Sequence, residues 1–400
     1  MKFLPIWIFA CFTFFRSEGQ SVTCDGQRFL NEVFTNIKMS TVQFGKNISV
    51  YGDSIPLYMD VYEPVGDDAT IRPAMVLAFG GSFIAGDRTQ LAEQGKYYAG
   101  LGYVAACIDY RTWPIFLLGF PDSARITDVS IKAMGDMKAS VRFLKSEASN
   151  FRVDTNLIFS GGVSAGSITS IHSAYLDASD SIPPYLKKII DANGGFEGSS
   201  NNSTLKYSSK VAGLLNLSGG IFKLDWIDAG EPPMTSIHGT ADITVPYNYG
   251  MAGGLVSIHG SGDMYPVLKA NNINASLVSV PKGGHTDIYF LEEFKPYVDS
   301  FMAISNKMFY DIICKTVVAT SDRPTAQFIK IYPNPAIDHI YIESSAVIKN
   351  ARMYDLVGKY IPVSFQNNRI NWSQRLSPGI YAVEILLKDN SRVYNKVLID

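Results

Sequence analysis

The segment spanning residues 161–167 places a serine where it can act as a nucleophile. It contains Gly162-x-Ser164-x-Gly166, preceded by the apolar run 157–159 and followed by residues that can continue as a helix. On a sharp turn between a strand and a helix, a serine faces the substrate, and the flanking glycines relieve crowding. The amides that begin the helix would face the negative charge that develops during attack. The alternative is an ordinary glycine- and serine-rich turn with an exposed serine.

A nucleophilic serine needs a base, and the base needs a carboxylate to orient it. After a turn of this kind the expected chain order is serine, acid, histidine. His285 lies in a glycine-rich loop after the predicted strand 275–280, which is where such a fold carries its base. A surface loop histidine is the alternative. The other four histidines have other placements. His172 is predicted to be structural, and His238 precedes the candidate acid described below. His259 is predicted to lie in a glycine-rich loop and His339 in the terminal module.

Asp242 is the candidate acid. It follows the predicted strand that ends at Ile237, one strand before the loop of His285, so its carboxylate can face the imidazole. A turn aspartate is the alternative. The other acids of this region are expected to be solvated: Asp225 and Asp228, before that strand, and Asp263, in a loop.

Backbone amides are the candidate donors to the oxyanion. Ala165 supplies one, and the loop Gly80-Gly81-Ser82-Phe83 supplies the others through Gly81 and Ser82. The two glycines let the backbone approach a substrate closely, although they could simply end a strand. Since no Cys/His cluster with metal-ligand spacing is present in the sequence, we expect neither a metal nor a cofactor.

The elements that must position these residues alternate between strand-like and helix-like stretches. Alternation of this kind predicts an α/β domain whose mainly parallel sheet has helices on both faces. The predicted strands are 55–62, 74–79, 103–108, 157–159, 211–217, 234–237 and 275–280. The predicted helices are 91–101, 126–148, 168–174 and 291–308.

Charge and targeting signals narrow the classes of partner. The 400 residues carry a net charge of −2 with no basic run, which gives no support to a nucleic-acid partner. Lys2 is followed by the apolar stretch 3–15 and then by polar residues, so residues 1–20 are predicted to be a signal peptide. That stretch is too short to span a bilayer, and no other stretch could, so no transmembrane segment is expected.

The sequence contains four cysteines, and an exported protein can form disulfides between them. Cys11 leaves with the signal peptide, and Cys107 lies in an apolar run as a small buried residue. Cys24 and Cys314 bracket the predicted catalytic domain and could form a disulfide that joins its two ends. Two unpaired thiols are the alternative.

The chain changes character after Cys314. Residues 21–318 are predicted to form the catalytic domain and the polar residues 319–327 a linker. Residues 328–400 show short alternating strands without a helical period and predict a small all-β sandwich. Its predicted strands are 340–343, 351–356, 369–372, 379–387 and 393–399.

Residues 24–314 resemble the α/β-hydrolase superfamily, and within it secreted carboxylesterases of the acetylxylan and feruloyl esterase-like kind. The resemblance rests on five segments in the family's order: 78–83, Asp109-Tyr110-Arg111, 162–166, 238–246 and Gly284-His285. It implies the α/β-hydrolase fold and a triad of Ser164, Asp242 and His285. The family usually has a histidine where this chain has Phe79, which puts the geometry of the next loop in question.

Residues 328–400 resemble the sorting domain of the type IX secretion system of Bacteroidetes. The matching segments are 331–335, 355–358, 376–381 and 396–399. The resemblance implies the secretion machinery as a partner and a secreted or cell-surface location. In that family the tail is often removed and the protein attached at the surface.

The sequence therefore predicts an exported serine carboxylesterase that works through an acyl-enzyme on a small-molecule or polysaccharide-linked ester. A peptidase of the same fold and a non-catalytic binding protein on a hydrolase fold are the alternatives. Aromatic residues near the expected mouth favour a bulky or aromatic substrate, although they could equally be packing: Trp113, Phe116, Phe120, Trp226, Tyr247 and Tyr249.

Overall fold

The structure, a computed structural model, describes residues 24–321, 329–344, 347–355, 359–388 and 392–399. The predicted signal peptide and most of the predicted linker lie outside these residues. The chain divides into two compact units, Met1–Cys314 and Lys315–Asp400. Among the residues that the structure describes, no helix is long and apolar enough to cross a membrane.

The first unit alternates strands and helices along the chain. Its strands are β1 Ile37–Ile48, β2 Ser54–Pro64, β3 Arg72–Ala78, β4 Val104–Ile108, β5 Val153–Val163, β6 Leu214–Leu217, β7 Gly220–Ile221, β8 Met234–Gly239, β9 Tyr249–Ala252, β10 Val256–Gly260 and β11 Ala275–Val280. Its helices are α1 Ala92–Gly100, α2 Ile115–Leu118, α3 Ser123–Ser146, α4 Ala148–Phe151, α5 Ala165–Tyr175, α6 Pro184–Ala192, α7 Ser261–Ala270 and α8 Lys295–Ser321, the last of which continues past Cys314 into the second unit. Helix α8 thus extends three residues into the predicted linker.

Eight of these strands form one large sheet in the order β1-β2-β4-β3-β5-β6-β8-β11. The pairs β1–β2 and β2–β4 are antiparallel, and every later pair is parallel. Parallel strands end at one edge, so the loops after β3, β5, β8 and β11 meet there. The predicted mainly parallel sheet flanked by helices is confirmed, and it is the arrangement of an α/β hydrolase.

Burial explains why these stretches were recognisable as elements. All seven residues of β3 and all five of β4 are buried, as expected for central strands covered on both faces. The long helix α3 begins where the Asp122 carboxylate accepts a hydrogen bond from the Arg125 amide at 2.9 Å. The antiparallel strand β1, which the sequence did not indicate, extends the sheet at one end.

A second, three-stranded sheet in the order β7-β10-β9 lies outside the large sheet. It was not expected, and it corrects the placement of two residues. His259 lies in strand β10 rather than in a glycine-rich loop, and Asp263 lies in helix α7 rather than in a loop. The two pair with each other, since His259 Nδ1 is 2.8 Å from Asp263 Oδ2.

The ends of the first unit are joined by a disulfide between Cys24 and Cys314, which confirms the predicted pairing. The bond closes a loop across 290 positions of sequence. Cys107 is a free, buried cysteine, as its apolar run indicated.

The second unit contains only strands among its described residues beyond 328. The strands are β12 Ile329–Tyr332, β13 His339–Ser344, β14 Ile348–Tyr354, β15 Tyr360–Ile361, β16 Ser364–Gln366, β17 Arg369–Asn371, β18 Gly379–Leu387 and β19 Arg392–Ile399. One antiparallel sheet has the order β12-β13-β17-β16 and another β15-β14-β18-β19. Buried residues from both sheets, including Ile340, Ile370 and Val383, share one core, so the predicted all-β module is confirmed.

Candidate active site

Ser164 stands on a strained turn between β5 and α5. Its φ of 56° and ψ of −121° are unusual for a residue other than glycine. Its amide donates to the Leu217 carbonyl at 2.8 Å, which fixes the turn to the end of the neighbouring strand β6. Strain of this kind persists only where the surroundings impose it, and it lifts the serine side chain out of the sheet edge.

The two flanking glycines are required by close backbone contacts. A Cβ atom on Gly162 would lie 2.5 Å from the Ala78 carbonyl oxygen. A Cβ atom on Gly166 would lie 2.1 Å from the same oxygen. The Gly162-x-Ser164-x-Gly166 pattern therefore lets strand β3 and the start of helix α5 approach each other around the serine.

The structure brings both Ser164 and Asp242 within hydrogen-bonding distance of His285. Ser164 Oγ is 2.8 Å from His285 Nε2, and His285 Nδ1 is 2.6 Å from Asp242 Oδ2. His285 comes from the loop after β11 and Asp242 from the loop after β8. With Nδ1 donating to the carboxylate, Nε2 is free to accept the serine proton, which is the geometry of a general base beside a nucleophile.

The Asp242 carboxylate is buried but saturated with hydrogen bonds. Oδ1 accepts from the amides of Thr244 and Val245 at 2.8 and 2.9 Å. Oδ2 lies next to the imidazoles of His285 and His238. Burial raises the pKa of this carboxyl, but the hydrogen bonds from His238, His285 and the Val245 amide outweigh burial and hold the pKa well below its ordinary value. Asp242 is therefore ionised at neutral pH.

The loop after β3 is shaped to present its amides. Gly81 has a φ of 126°, and Ser82 and Phe83 follow in the left-handed region at 57° and 62°. A Cβ atom on Gly81 would lie 2.0 Å from the Ala85 carbonyl oxygen. Ser82 and Ala165 line the same pocket as Ser164. Among the residues described, the amides of Gly81, Ser82 and Ala165 donate no hydrogen bond, so they are available to an oxyanion.

Phe79, where the related esterases usually have a histidine, is held by stacking. Its ring lies parallel to that of Tyr110, with centroids 4.2 Å apart. The Tyr110 hydroxyl donates to the Phe79 carbonyl at 2.8 Å. Tyr110 is buried, and burial raises its pKa, so it remains a neutral donor. An aromatic stack and one side-chain hydrogen bond therefore fix the start of the loop that contains Gly81.

Two cavities share lining residues, and Ser164 lines the smaller one. The first, about 50 Å³, is lined by Ser164, by Ser82 and mostly by apolar side chains, including Phe83, Ile168 and Val245. The second, about 620 Å³, is lined by aliphatic residues such as Leu186 and Ile189 together with aromatic and polar ones: Tyr185, Phe222, Trp226, Tyr249, Lys223, Ser257 and His259. Phe222 and the tip of the β9–β10 hairpin border both. The Ser123 hydroxyl donates to the Leu255 carbonyl at 2.6 Å and ties that tip to helix α3.

The aromatic residues that the sequence placed near the mouth differ in burial. Trp113 and Trp226 are buried packing residues. Phe116, Phe120 and Tyr249 are 100%, 84% and 63% exposed. Tyr247 is half-buried, and its hydroxyl lies 2.6 Å from Ser279 Oγ. Among them only Trp226 and Tyr249 line the larger cavity.

Sequence reasoning missed three contributors to the site: the hairpin, Tyr110 and His238. Tyr110 and His238 stood inside the segments that carried the family resemblance, and that was the signal for them. His172 is buried and accepts a hydrogen bond from the Phe222 amide at 3.2 Å, as a structural histidine does. Among the described residues, no three His, Cys, Asp or Glu side chains form a group that could hold a metal ion.

Two family matches divide the chain in the same way as its two units. Residues 59–221 match the BD-FAE family. Residues 330–400 match the secretion system C-terminal sorting domain. The chain thus carries an α/β-hydrolase domain similar to the BD-FAE family, followed by a domain similar to secretion system C-terminal sorting domains.

Curated relatives of the first unit are plant methylesterases. Isoprenylcysteine alpha-carbonyl methylesterase ICME of Arabidopsis thaliana is 30% identical over 117 residues, which are 29% of this chain and 24% of that protein. Probable isoprenylcysteine alpha-carbonyl methylesterase ICMEL1 of Oryza sativa subsp. japonica is 27% identical over 156 residues, 37% of this chain and 34% of that protein. The chain therefore matches only a quarter to a third of the length of these relatives.

Solved structures with the same fold include esterase 2 of Thermogutta terrifontis. The form phosphorylated by paraoxon aligns with a TM-score of 0.52 at 20% identity, over 68% of this chain and 94% of that chain. The form phosphoramylated by tabun gives a TM-score of 0.52 at 19% identity with the same coverage. At this level of identity the likeness establishes the fold of the first unit.

Proposed function

We propose that this α/β hydrolase of the esterase type is an exported serine carboxylesterase whose triad is Ser164, His285 and Asp242. One observation carries the proposal. Ser164 Oγ, His285 and Asp242 Oδ2 form a continuous chain of hydrogen bonds of 2.8 and 2.6 Å, starting from a strained serine. The family matches and the methylesterase relatives support ester hydrolysis as the reaction.

Acylation begins when Ser164 Oγ attacks the ester carbonyl carbon while His285 Nε2 takes the hydroxyl proton. The carbonyl oxygen becomes negative and is stabilised by the amides of Gly81, Ser82 and Ala165. Asp242 keeps the proton of His285 on Nδ1 and stabilises the imidazolium that forms. His285 then gives its proton to the alcohol oxygen as the ester C–O bond breaks, which leaves an acyl-enzyme.

Deacylation repeats these steps with water in place of the serine. His285 takes a proton from the water, whose oxygen attacks the acyl carbon, and the same three amides hold the oxyanion. The proton then returns to Ser164 Oγ as the acid departs. Every proton in both halves moves between groups of this chain and the substrate, so the mechanism uses no cofactor.

The two cavities favour a short acyl group and a larger alcohol. The small apolar cavity next to Ser164 favours a short acyl chain. The larger cavity, with its aromatic and polar lining, fits an alcohol that is aromatic or part of a polysaccharide. We therefore place acetyl esters of bulky alcohols first among the substrates.

The sorting domain indicates secretion or delivery to the cell surface. We assign residues 1–20 to a signal peptide, 21–318 to the catalytic domain, 319–327 to a linker and 328–400 to the sorting domain. The esters that the enzyme meets are accordingly outside the cell.

The test compares the full chain with Ser164→Ala on acetyl, longer-chain and feruloyl esters and on a peptide anilide. Ser140→Ala is the matched control, since Ser140 is a buried serine that donates only within helix α3. We expect acetyl esters to be cleaved fastest and Ser164→Ala to lose several orders of magnitude in kcat. Preference for the anilide would make the protein a peptidase, and an active Ser164→Ala would refute the proposed nucleophile.

A further inference from the structure

A second histidine lies behind the candidate acid. His238, at the end of β8, is completely buried. Its Nε2 is 3.2 Å from Asp242 Oδ2 and 2.9 Å from the Val245 carbonyl oxygen. Since a carbonyl only accepts, Nε2 carries a hydrogen, and that hydrogen is also shared with the carboxylate.

The other ring nitrogen of His238 is an acceptor. The Ser261 amide donates to Nδ1 at 3.4 Å, and Ser261 Oγ lies 2.8 Å from the same atom. An amide N–H can only donate, so Nδ1 presents its lone pair and the ring hydrogen is on Nε2. His238 is thereby locked as a donor to Asp242.

The hydrogen bonds continue from Ser261 to the helix that begins at the nucleophile. Asn216 Nδ2 donates to Ser261 Oγ at 3.1 Å, and Asn216 Oδ1 accepts from Ser167 Oγ at 2.6 Å. Ser167 lies on α5, three residues after Ser164. We call the four buried side chains His238, Ser261, Asn216 and Ser167 the buried relay.

We infer that His238 is a positioning residue that, through the buried relay, fixes the Asp242 carboxylate relative to the nucleophile helix. The inference rests on the proposed function. His238 and His285 share Oδ2, whereas the two backbone amides hold Oδ1. Without His238 only His285 would hold Oδ2, so the carboxylate could rotate and take the His285 ring with it. A fully bonded buried network resists that rotation, because each partner is fixed by the next.

The decisive experiment is a double-mutant cycle in the full chain between His238→Phe and Asp242→Asn. We expect His238→Phe to lower kcat by about tenfold to a hundredfold, the rate equivalent of one hydrogen bond to a charged group, with KM unchanged. In the Asp242→Asn background the same change should cost nothing further, because the positioned group is already gone. Equal losses in both backgrounds, or an unchanged kcat in folded His238→Phe, would overturn the inference.

Two further variants keep the test informative if His238→Phe does not fold. His238→Gln keeps an N–H near the position of Nε2 and should recover most of the lost kcat. Ser261→Ala removes the hydroxyl next to Nδ1 and should cost about threefold to tenfold in kcat, the equivalent of one neutral hydrogen bond. Its control is Ser305→Ala, since Ser305 is also fully buried. Ser305 Oγ lies 3.1 Å from Oγ1 of Thr235, and Thr235 belongs to the same strand as His238. If both serine variants behave alike, or Gln recovers nothing, the relay has no positioning role.

The Ser164→Ala variant separates this inference from the proposed function. If Ser164→Ala is inactive while His238→Phe is fully active, only the positioning role fails. If Ser164→Ala is active, the triad assignment itself is wrong.

Discussion

Replacing Asp242 by asparagine should disable the base without removing it. Oδ1 faces two backbone amides, at 2.8 and 2.9 Å, that cannot turn away. The asparagine carbonyl must take that position, because an NH₂ group there would face two donors. The NH₂ group is then placed where Oδ2 was, 2.6 Å from His285 Nδ1 and 3.2 Å from His238 Nε2, whose hydrogen keeps the Val245 carbonyl as its acceptor at 2.9 Å.

This placement forces His285 into the wrong tautomer. An NH₂ group facing Nδ1 requires Nδ1 to accept, so the ring hydrogen moves to Nε2 and the ring can no longer take the proton of Ser164. A tautomer change of this kind costs about 10⁴ in kcat while binding is retained. We therefore expect kcat to fall by about four orders of magnitude, equivalent to about 5 kcal/mol in the activation free energy, with KM little changed.

The assay is hydrolysis of an aryl acetate by the full chain, with the melting temperature measured in parallel. Asp338→Asn is the matched control, because Asp338 Oδ1 is 2.6 Å from His339 Nδ1 in a histidine–aspartate pair of the second unit. This control should keep normal kcat. A folded Asp242→Asn enzyme within about tenfold of the normal kcat would refute the assignment of Asp242 as the acid.

Three further predictions concern stability and delivery. Reducing or replacing the Cys24–Cys314 disulfide should lower the free energy of unfolding by about 2–4 kcal/mol, measured by denaturant titration with and without reductant. An unchanged free energy of unfolding would show that the disulfide does not stabilise the fold. Burial raises the pKa of Asp67, but hydrogen bonds from Arg28, the Ala69 amide and a second arginine outweigh burial and lower it from 3.8 to about 2. Because the pKa of Asp67 is lower in the folded than in the unfolded state, its ionisation adds about 1–2 kcal/mol to the free energy of unfolding above pH 4, and this is lost as the pH falls toward 2. An Asp67→Asn variant as sensitive to acid as the normal chain would contradict this. Deleting the residues from Gln327 onward should leave the esterase kcat of the purified protein intact and abolish surface delivery in cell fractionation. A folded but inactive product would refute the separation of the catalytic domain, and continued delivery would refute the role of the tail in sorting.

The sequence alone was sufficient for the frame of the catalytic unit. Central parallel strands are buried on both faces, so the sequences of β3 and β4 are continuous apolar runs. Such runs predict strands even when the neighbouring strands of the sheet are not known. The glycines around Ser164 were informative for a related reason. At Gly162 and Gly166 the backbone of strand β3 comes too close for any side chain, so only glycine fits and the sequence shows it.

The chain order also identified the three residues that the structure brings together. Ser164, Asp242 and His285 each follow a strand of one parallel sheet, and such strands end at a common edge. Their distances, and the donors that saturate Asp242, could not be read in the same way. Both depend on loops whose conformation is set by contacts between segments far apart in sequence.

Only the tertiary structure decided what surrounds those residues. The β9–β10 hairpin borders both cavities, yet its strands are short and partly exposed, so they carry no clear apolar pattern. His238 could be given a role only once Ser261 and Asn216 were seen to meet it from other elements. A buried polar network has no sequence period, because each hydrogen bond joins elements that the fold itself brings into contact.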